Sequence, residues 1–540
     1  MKVLVSDNLG EAGIQILRAE KDIQVDVKTG LPPEELKKII GEYDALIVRS
    51  ATKVTGEIIN AGTRLKVVGR AGIGLDNVDV PAATKRGIVV MNTPTGNIVT
   101  TAEHAIAMML SLSRNIPQGT STLKSGMWEK KKLQGREIFN KTLGLIGYGK
   151  IGSIVADRAR GLKMQVIVYD PFVTPERIRE DGFESVTLEA LYERSDYITV
   201  HVPKMKGTAG LLNKAAFDKM KKGVMIINCA RGGIVNEQDL HDAIKAGKVA
   251  GAALDVFETE PPGKTPLLEL ANVIGTPHLG ASTAEAQTNV AIDVVRQIIG
   301  FLKHNTIVNA VNAPSVSGEI LNRLGPFIIL AEKMGRLQSQ LSCGPLKEVA
   351  VTFNGDFGGM DLSPVTTAAL KGILMPIVKD EVNFVNAPEL AKGMGIKITE
   401  SMSPEAGDYT QLVTLRSEAR EMTTVISGTI FGKKEMRVVK INDFRLELVP
   451  EGYMVLIYNQ DKPGAIGSIG STLGKHQINI SRMQVGQDQE KKKNVIFLKT
   501  DTLVPESVLQ ELKALPLVES VIPLTFGEDA VQTCAFGAKS

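Results

Sequence analysis

One stretch restricts this 540-residue chain more than any other: Gly147-Tyr148-Gly149-Lys150-Ile151-Gly152, placed between the apolar run Leu143 to Ile146 and a helical pattern. A lone GxGxxG is a weak signal, but between a strand and a helix it implies a dinucleotide fold. Gly147 makes the tight turn, Gly149 lets a pyrophosphate approach the backbone, and Gly152 lets helix and strand pack closely. Lys150 and Ile151 open the helix, whose first N–H groups point at the phosphates. Further β-branched runs at Val166 to Tyr169, Tyr197 to Val200, Val224 to Ile227, Ala252 to Leu254 and Val273 to Ile274 complete six strands, each spaced for a crossover helix. Six such strands match a complete doubly wound (Rossmann) unit. Asp170 lies 18 residues after Gly152, at the end of the second run. A carboxylate there accepts from both ribose hydroxyls and repels a 2′-phosphate, which favours NAD over NADP; a turn Asp before Pro171 is the bland alternative.

The same alternation precedes this unit, with runs at Val3 to Ser6, Ile23 to Val27, Ala45 to Val48, Val67 to Gly69 and Val89 to Met91. Long helical patterns, Thr100 to Arg114 and Ala284 to Lys303, bracket the glycine-containing unit, and the second returns the chain to the first. The expected fold class is therefore α/β, with two doubly wound parallel-sheet domains, one inserted in the other. A split substrate-binding domain covers 1–98 and 284–310, and the NAD-binding domain covers 99–283. The pattern changes after residue 311, where Glu348 to Phe353 and Asn383 to Val385 read as strands of an α+β unit over 311–448. Residues 449–526 read β-α-β-β-α-β, a ferredoxin-like order with a charged turn at Gln487 to Lys493, and 527–540 form a tail.

A length of 540 residues suggests three or four domains at about 150 residues each. The net charge of +3 gives no electrostatic footprint for nucleic acid or an anionic membrane, so any anionic partner must meet a local cluster of cations. Three well-separated cysteines, an N-terminus unlike a signal peptide and the lack of an uncharged apolar span lead us to expect a soluble, cytoplasmic protein.

Open α/β sheets gather ligands at the carboxyl ends of their strands. Those ends carry His201-Val202-Pro203, Asn228 to Arg231, Asp255 and Thr276-Pro277-His278, with Glu258 and Glu260 in the next loop. Oxidising a secondary alcohol needs a base for the hydroxyl proton, a carboxylate to orient that base, and an arginine to grip a carboxylate substrate. His278, one of the two glutamates and Arg231 supply these parts, and spacing alone does not choose between the glutamates. Pro203, Cys229, Asp255 and Gly280 are expected along the cofactor wall, to which His201 lends its ring or only its backbone. His104 reads as a satisfied packing residue inside an apolar helix, His241, His304 and His476 as solvated ones, and no metal is expected.

Ala230-Arg231-Gly232-Gly233, Leu254 to Phe257 with Glu260-Pro261-Pro262, and Thr276-Pro277-His278-Leu279-Gly280 resemble the signatures of the D-2-hydroxyacid dehydrogenases, over residues 1 to about 310. The resemblance implies that Arg231, Glu260 and His278 form the catalytic set, since the family's glutamate stands directly before Pro-Pro. Arg49-Ser50 and Gly69-Arg70 end strands of the first domain, and two further guanidinium groups suit a substrate with two anionic ends, one a phosphate. Arg49 to Thr52 and Gly72 to Asp79 are similar to the long branch of the family that acts on 3-phosphoglycerate, although Ile73 stands where some relatives carry a hydroxyl. That branch implies Arg49, Ser50, Arg70 and Asn97 as substrate contacts. Trp128 to Lys132 lies where the family dimerises; a partner lysine at the phosphate and a solvated basic run both remain open.

Asn459 to Gly464, with Asn479 further on, resembles an ACT domain, and residues 311–448 resemble the intervening domain of the longest members. The resemblance implies L-serine as an effector held by Asn459, Asp461 and Asn479 of a facing chain, in a homo-oligomer, a tetramer. Two other readings use the same core: reduction of glyoxylate or hydroxypyruvate, and a nicotinamide-sensing corepressor.

Overall fold

Five short runs build the first sheet: β1 (Lys2–Val5), β2 (Gln24–Val27), β3 (Ala45–Val48), β4 (Val67–Arg70) and β5 (Val89–Asn92). A computed structural model of the chain describes residues 1–314, 318–342, 344–378, 382–419, 422–432, 434–488 and 493–526. The five strands are parallel, in the order β2-β1-β3-β4-β5. Alternation sends Val3, Val5, Ala45 and Ile47 to one face and Leu4, Leu46 and Val48 to the other, and both faces are buried. The helix Ala284–His304, capped by the Thr283 hydroxyl at 3.2 Å from the Ala286 N–H, returns to the first of these faces. It lies so close to the helix Glu11–Arg18 that a Cβ on Gly13 would stand 2.8 Å from the Ala291 carbonyl.

The second sheet holds β6 (Thr142–Ile146), β7 (Gln165–Tyr169), the two-residue β8 (Glu184–Ser185), β9 (Tyr197–Val200), β10 (Val224–Asn228), β11 (Val249–Leu254) and β12 (Val273–Gly275). All are parallel, in the order β12-β11-β10-β9-β6-β7-β8, and the order reverses between β6 and β9. The crevice at such a reversal is where doubly wound sheets bind ligands.

The third sheet contains β13 (Leu346–Gly355), β14 (Lys397–Ser403), β15 (Gln411–Ala419), β16 (Met422–Phe431), β17 (Glu435–Ile441) and β18 (Phe444–Leu448). Only β13 and β14 pair in parallel. Asn383 to Val385 is not a strand, as its apolar residues suggested, but a turn before the helix Ala387–Gly393. The Asn383 side chain accepts from the Val385 and Asn386 N–H groups at 2.9 and 3.2 Å, so local hydrogen bonds replace a sheet ladder. The same side chain donates to the Gly87 carbonyl at 3.0 Å, and Val385 is buried in the core of the first sheet.

The fourth sheet holds β19 (Tyr453–Gln460), β20 (Ile480–Asp488), β21 (Lys493–Thr500) and β22 (Val518–Thr525), antiparallel in the order β20-β21-β19-β22. Val455 and Ile457 face its two helices, while Met454 and Leu456 join the core beneath the third sheet. The expected tail, 527–540, and residues 489–492 of the charged turn lie outside the described residues. Among the described residues no helix is long and apolar enough to cross a membrane.

Gly13→Leu would force the two helices apart, a cost of about 1–3 kcal/mol for overpacking. Its thermal midpoint, read by calorimetry, should fall by several degrees; a midpoint equal to wild type would show that the helix from 284 does not close the first unit.

Candidate active site

Two adjoining cavities occupy the cleft between the parallel-sheet units, one of about 550 Å³ and one of about 370 Å³, and both are lined by Arg70, Asn97, His278 and Ala281. Gly149, Lys150, Ile151, His201, Pro203, Cys229, Asp255 and Gly280 line the smaller one together with Arg231. Gly147 turns at φ 97°, and a Cβ there would sit 2.6 Å from the His201 carbonyl. A Cβ on Gly152 would sit 2.0 Å from the Gly147 carbonyl, whereas one on Gly149 would meet nothing within 4 Å. The loop therefore packs tightly on its protein side and leaves open space on the other, which fits a pyrophosphate.

Asp170 grips less broadly than the sequence suggests. Its Oδ1 accepts from the Phe172 and Val173 N–H groups at 2.7 and 3.1 Å, so the turn before Pro171 and the nucleotide fingerprint share one side chain. Oδ2 accepts from the Tyr148 N–H at 2.7 Å and keeps capacity for a ribose hydroxyl. Burial pushes the His201 pKa down to about 4, and its Nε2 lies 2.9 Å from the Thr199 hydroxyl, so the ring is a neutral part of the wall near pH 7. Burial, then the nearby Asp255, push the Cys229 thiol well up, and it stays protonated.

His278 Nδ1 lies 2.8 Å from Glu260 Oε2, and Glu260 Oε1 accepts from the Phe257 N–H at 3.1 Å. The glutamate thus holds the ring through Nδ1 from a braced position and leaves Nε2 unengaged by it. Glu258 turns away, accepting from the Glu237 N–H at 3.1 Å. His278 itself stands at φ 54°, in the left-handed region. Its N–H donates to the Asp255 carbonyl at 3.0 Å, and the Asp255 carboxylate accepts from the Leu279 and Gly280 N–H groups at 2.7 and 2.8 Å. Asp255 borders the cofactor cavity, but its hydrogen bonds act on the loop that carries the imidazole.

The larger cavity is lined by Arg49, Ser50, Arg70, Asn97, Glu260 and His278, among others. Desolvation, then the charge of Arg231, lower the Arg70 pKa to about 10, with Arg49 adding to the effect. Its Nε is buried without a partner, and its guanidinium lies where a Cβ on Gly72, at φ 139°, would stand. Asn97 Oδ1 is likewise buried and unpartnered. Arg231 donates from Nε to Asp76 at 3.2 Å and from Nη1 to the Ala230 carbonyl at 2.7 Å. Three guanidinium groups therefore border the cleft beside the His278 imidazole.

Sequence reasoning missed several residues here. Asp7, at the end of β1, accepts from the Arg49 N–H at 2.6 Å and from the Thr52 hydroxyl at 2.6 Å, and Asn77 donates to the Arg49 and Thr52 carbonyls. The strand-end rule that found Arg49 would also have found Asp7. Asp76 had no local signal, because its partner is 155 positions away. His104 packs as a satisfied residue, and the partners that satisfy it had no local signal: its Nε2 lies 3.2 Å from both Asp255 and Thr276.

At the far end, Asn459 is buried with its Oδ1 unpartnered, Asp461 accepts from the Asn494 amide at 2.9 Å, and Asn479 donates to Asp501 at 2.7 Å. On the arm at 126–139, Trp128 is 81% exposed, and Lys132 pairs with Glu129 of its own chain at 2.7 Å.

Three family models match the chain: D-isomer specific 2-hydroxyacid dehydrogenase, NAD binding domain, at residues 106–280; D-3-phosphoglycerate dehydrogenase intervening domain at 323–442; and ACT domain at 453–517. The D-3-phosphoglycerate dehydrogenase of Archaeoglobus fulgidus is 44% identical over 532 residues, covering 98% of this chain and 100% of the relative. That of Bacillus subtilis is 42% identical over 520 residues, covering 96% and 98%. The solved D-lactate dehydrogenase from Aquifex aeolicus, complexed with NAD and lactic acid, is 31% identical with a TM-score of 0.51, and covers 58% of this chain and 100% of its own. With such identity along nearly its whole length and the three models in succession, the chain belongs to the D-3-phosphoglycerate dehydrogenase family of D-2-hydroxyacid dehydrogenases.

Proposed function

We propose that this protein oxidises D-3-phosphoglycerate to 3-phosphohydroxypyruvate, the first step of serine biosynthesis, in the cytoplasm. One observation carries the reading: Arg49, Arg70 and Arg231 converge on the cleft where Glu260 orients His278. A phosphate and a carboxylate on one small substrate answer three cations; a single carboxylate does not.

NAD, when bound along Gly147 to Gly152, Asp170 and the wall from His201 to Gly280, supplies the acceptor for the hydride from C2. Arg231 grips the substrate carboxylate and polarises the C2 oxygen. His278 takes the hydroxyl proton on Nε2, and Glu260 stabilises the imidazolium that forms. Arg49 and Arg70, with Ser50 and Asn97, receive the phosphorylated end, and the desolvation of the half-buried Arg70, countered in part by Asp76 and Asp7, is offset further when that anion arrives.

The substrate unit is assigned to 1–98 and 284–310, the NAD unit to 99–283, the intervening unit to 311–448 and the ACT unit to 449–526. The return of the helix Ala284–His304 onto the first sheet supports the split. L-serine is assigned to the strand-helix loop with Asn459 and Asp461, with Asn479 contributed by a facing chain. The exposed Trp128 and Phe139 support self-association through the arm, in a homotetramer.

Phosphoglycerate-dependent NADH formation should be present in wild type and fall at least about a hundredfold in His278→Ala. Equal rates with glycerate would show that the phosphate is not recognised. Arg70→Met should raise the phosphoglycerate KM at least about tenfold while the unfolding midpoint holds or rises, because a half-buried, desolvated cation is removed; an unchanged KM would refute its role. His201 has a folded pKa of about 4 against an ordinary 6.5, so between those values the unfolded chain binds more protons. The neutral ring's share of stability is complete above 6.5 and is lost as pH falls toward 4. His201→Gln should flatten the decline of the midpoint across that window, and a parallel decline in both proteins would count against it.

A further inference from the structure

The buried side of the catalytic loop holds a polar cluster that proton and hydride transfer do not use. Asp255, fully buried at the end of β11, accepts from the Thr276 hydroxyl at 2.6 Å, as well as from Leu279 and Gly280. Burial works against its charge, but hydrogen bonds from His104, Thr276, Leu279 and Gly280 outweigh it and hold the carboxyl below its usual range. Residues 276–280 are thus tied from behind to one carboxylate. His278 lies in the middle of that segment, in a backbone conformation that few non-glycine residues adopt.

His104 completes the cluster from another direction. It lies on the helix Ile98–Ser113, which starts just after Asn97, and its side chain is 19% exposed. Its Nε2 stands 3.2 Å from Asp255 Oδ1 and 3.2 Å from Thr276 Oγ1. The carboxylate only accepts, and the Thr276 hydroxyl donates its hydrogen to that carboxylate, so Nε2 carries the hydrogen toward them. One imidazole therefore links the helix that presents Asn97 to the loop that presents His278.

We propose that His104 is a positioning residue for the reaction: with Thr276 it pins the Asp255 carboxylate, and through it fixes the left-handed loop that aims the His278 imidazole. This rests on the reading of His278 as the base. Without the His104 bond the carboxylate can swing, and an error of an ångström at a reacting group costs up to about a hundredfold in rate.

The test is single-turnover NADH formation by stopped flow in the full-length protein, with wild type, His104→Ala, His104→Gln and Thr276→Val. A smaller folded fraction lowers the amplitude and leaves the rate constant alone; a misaimed base lowers the rate constant. The alanine variant should lose roughly tenfold or more in rate constant. Gln, whose amide N–H reaches about as far as Nε2, should restore it to within about threefold, and Thr276→Val should resemble the alanine variant. Should the alanine variant not fold, the comparison of Thr276→Val with His104→Gln decides the same question. Unchanged rate constants in His104→Ala and Thr276→Val, or losses of amplitude alone, would overturn the proposal. If wild type ignores phosphoglycerate but oxidises another 2-hydroxy acid, the substrate reading fails, and the same four proteins are compared on that acid.

Discussion

A parallel strand can reach its neighbour only by a crossover that returns the chain to the starting edge, so every strand of such a sheet ends on the same side. The first and second sheets of this protein are wholly parallel. Arg49 and Arg70 from one face His201, Arg231, Asp255 and His278 from the other across one cleft. The backbone at these ends has left its ladder, which frees it for close turns and unusual conformations, as at Gly147 and His278.

The cleft is electrostatically unfinished. Arg70 is desolvated beside two other guanidinium groups, and its Nε has no partner. Asp76 relieves part of this repulsion through Arg231 from across the cleft. An arrangement of this kind sets stability against affinity: buried polar groups without partners weaken the free protein and favour the ligand that satisfies them. The opposite holds behind residues 276–280, where the buried Asp255 carboxylate accepts from Thr276, Leu279 and Gly280.

The two C-terminal units do not form a separate appendage. One face of the fourth sheet shares its core with the third, and the third reaches the first through Asn383 and Val385. Packed side chains thus run without a break from the ACT domain through the third sheet to the first.

The order of elements in both parallel sheets and in the ACT unit was legible because it rests on local patterns: alternating apolar runs, glycine spacing and strand-end polar residues. Arg231 and His278 were legible for the same reason, as both lie at strand ends in short motifs, whereas only the family resemblance separated Glu260 from Glu258. Where local hydrogen bonding competed with hydropathy, the pattern misled; Asn383 to Val385 looks extended but turns because an asparagine satisfies its own backbone. The sequence by itself determined the cofactor loop, the strand-end arginines and the imidazole that the cleft would hold, and that the cofactor would carry no 2′-phosphate. Only the tertiary structure decided that Asp76 meets Arg231, that Asp170 splits its oxygens between a turn and the cofactor loop, and that His104 stands behind Asp255. Each of those outcomes depends on distances between side chains far apart in the chain, and no periodicity encodes such distances.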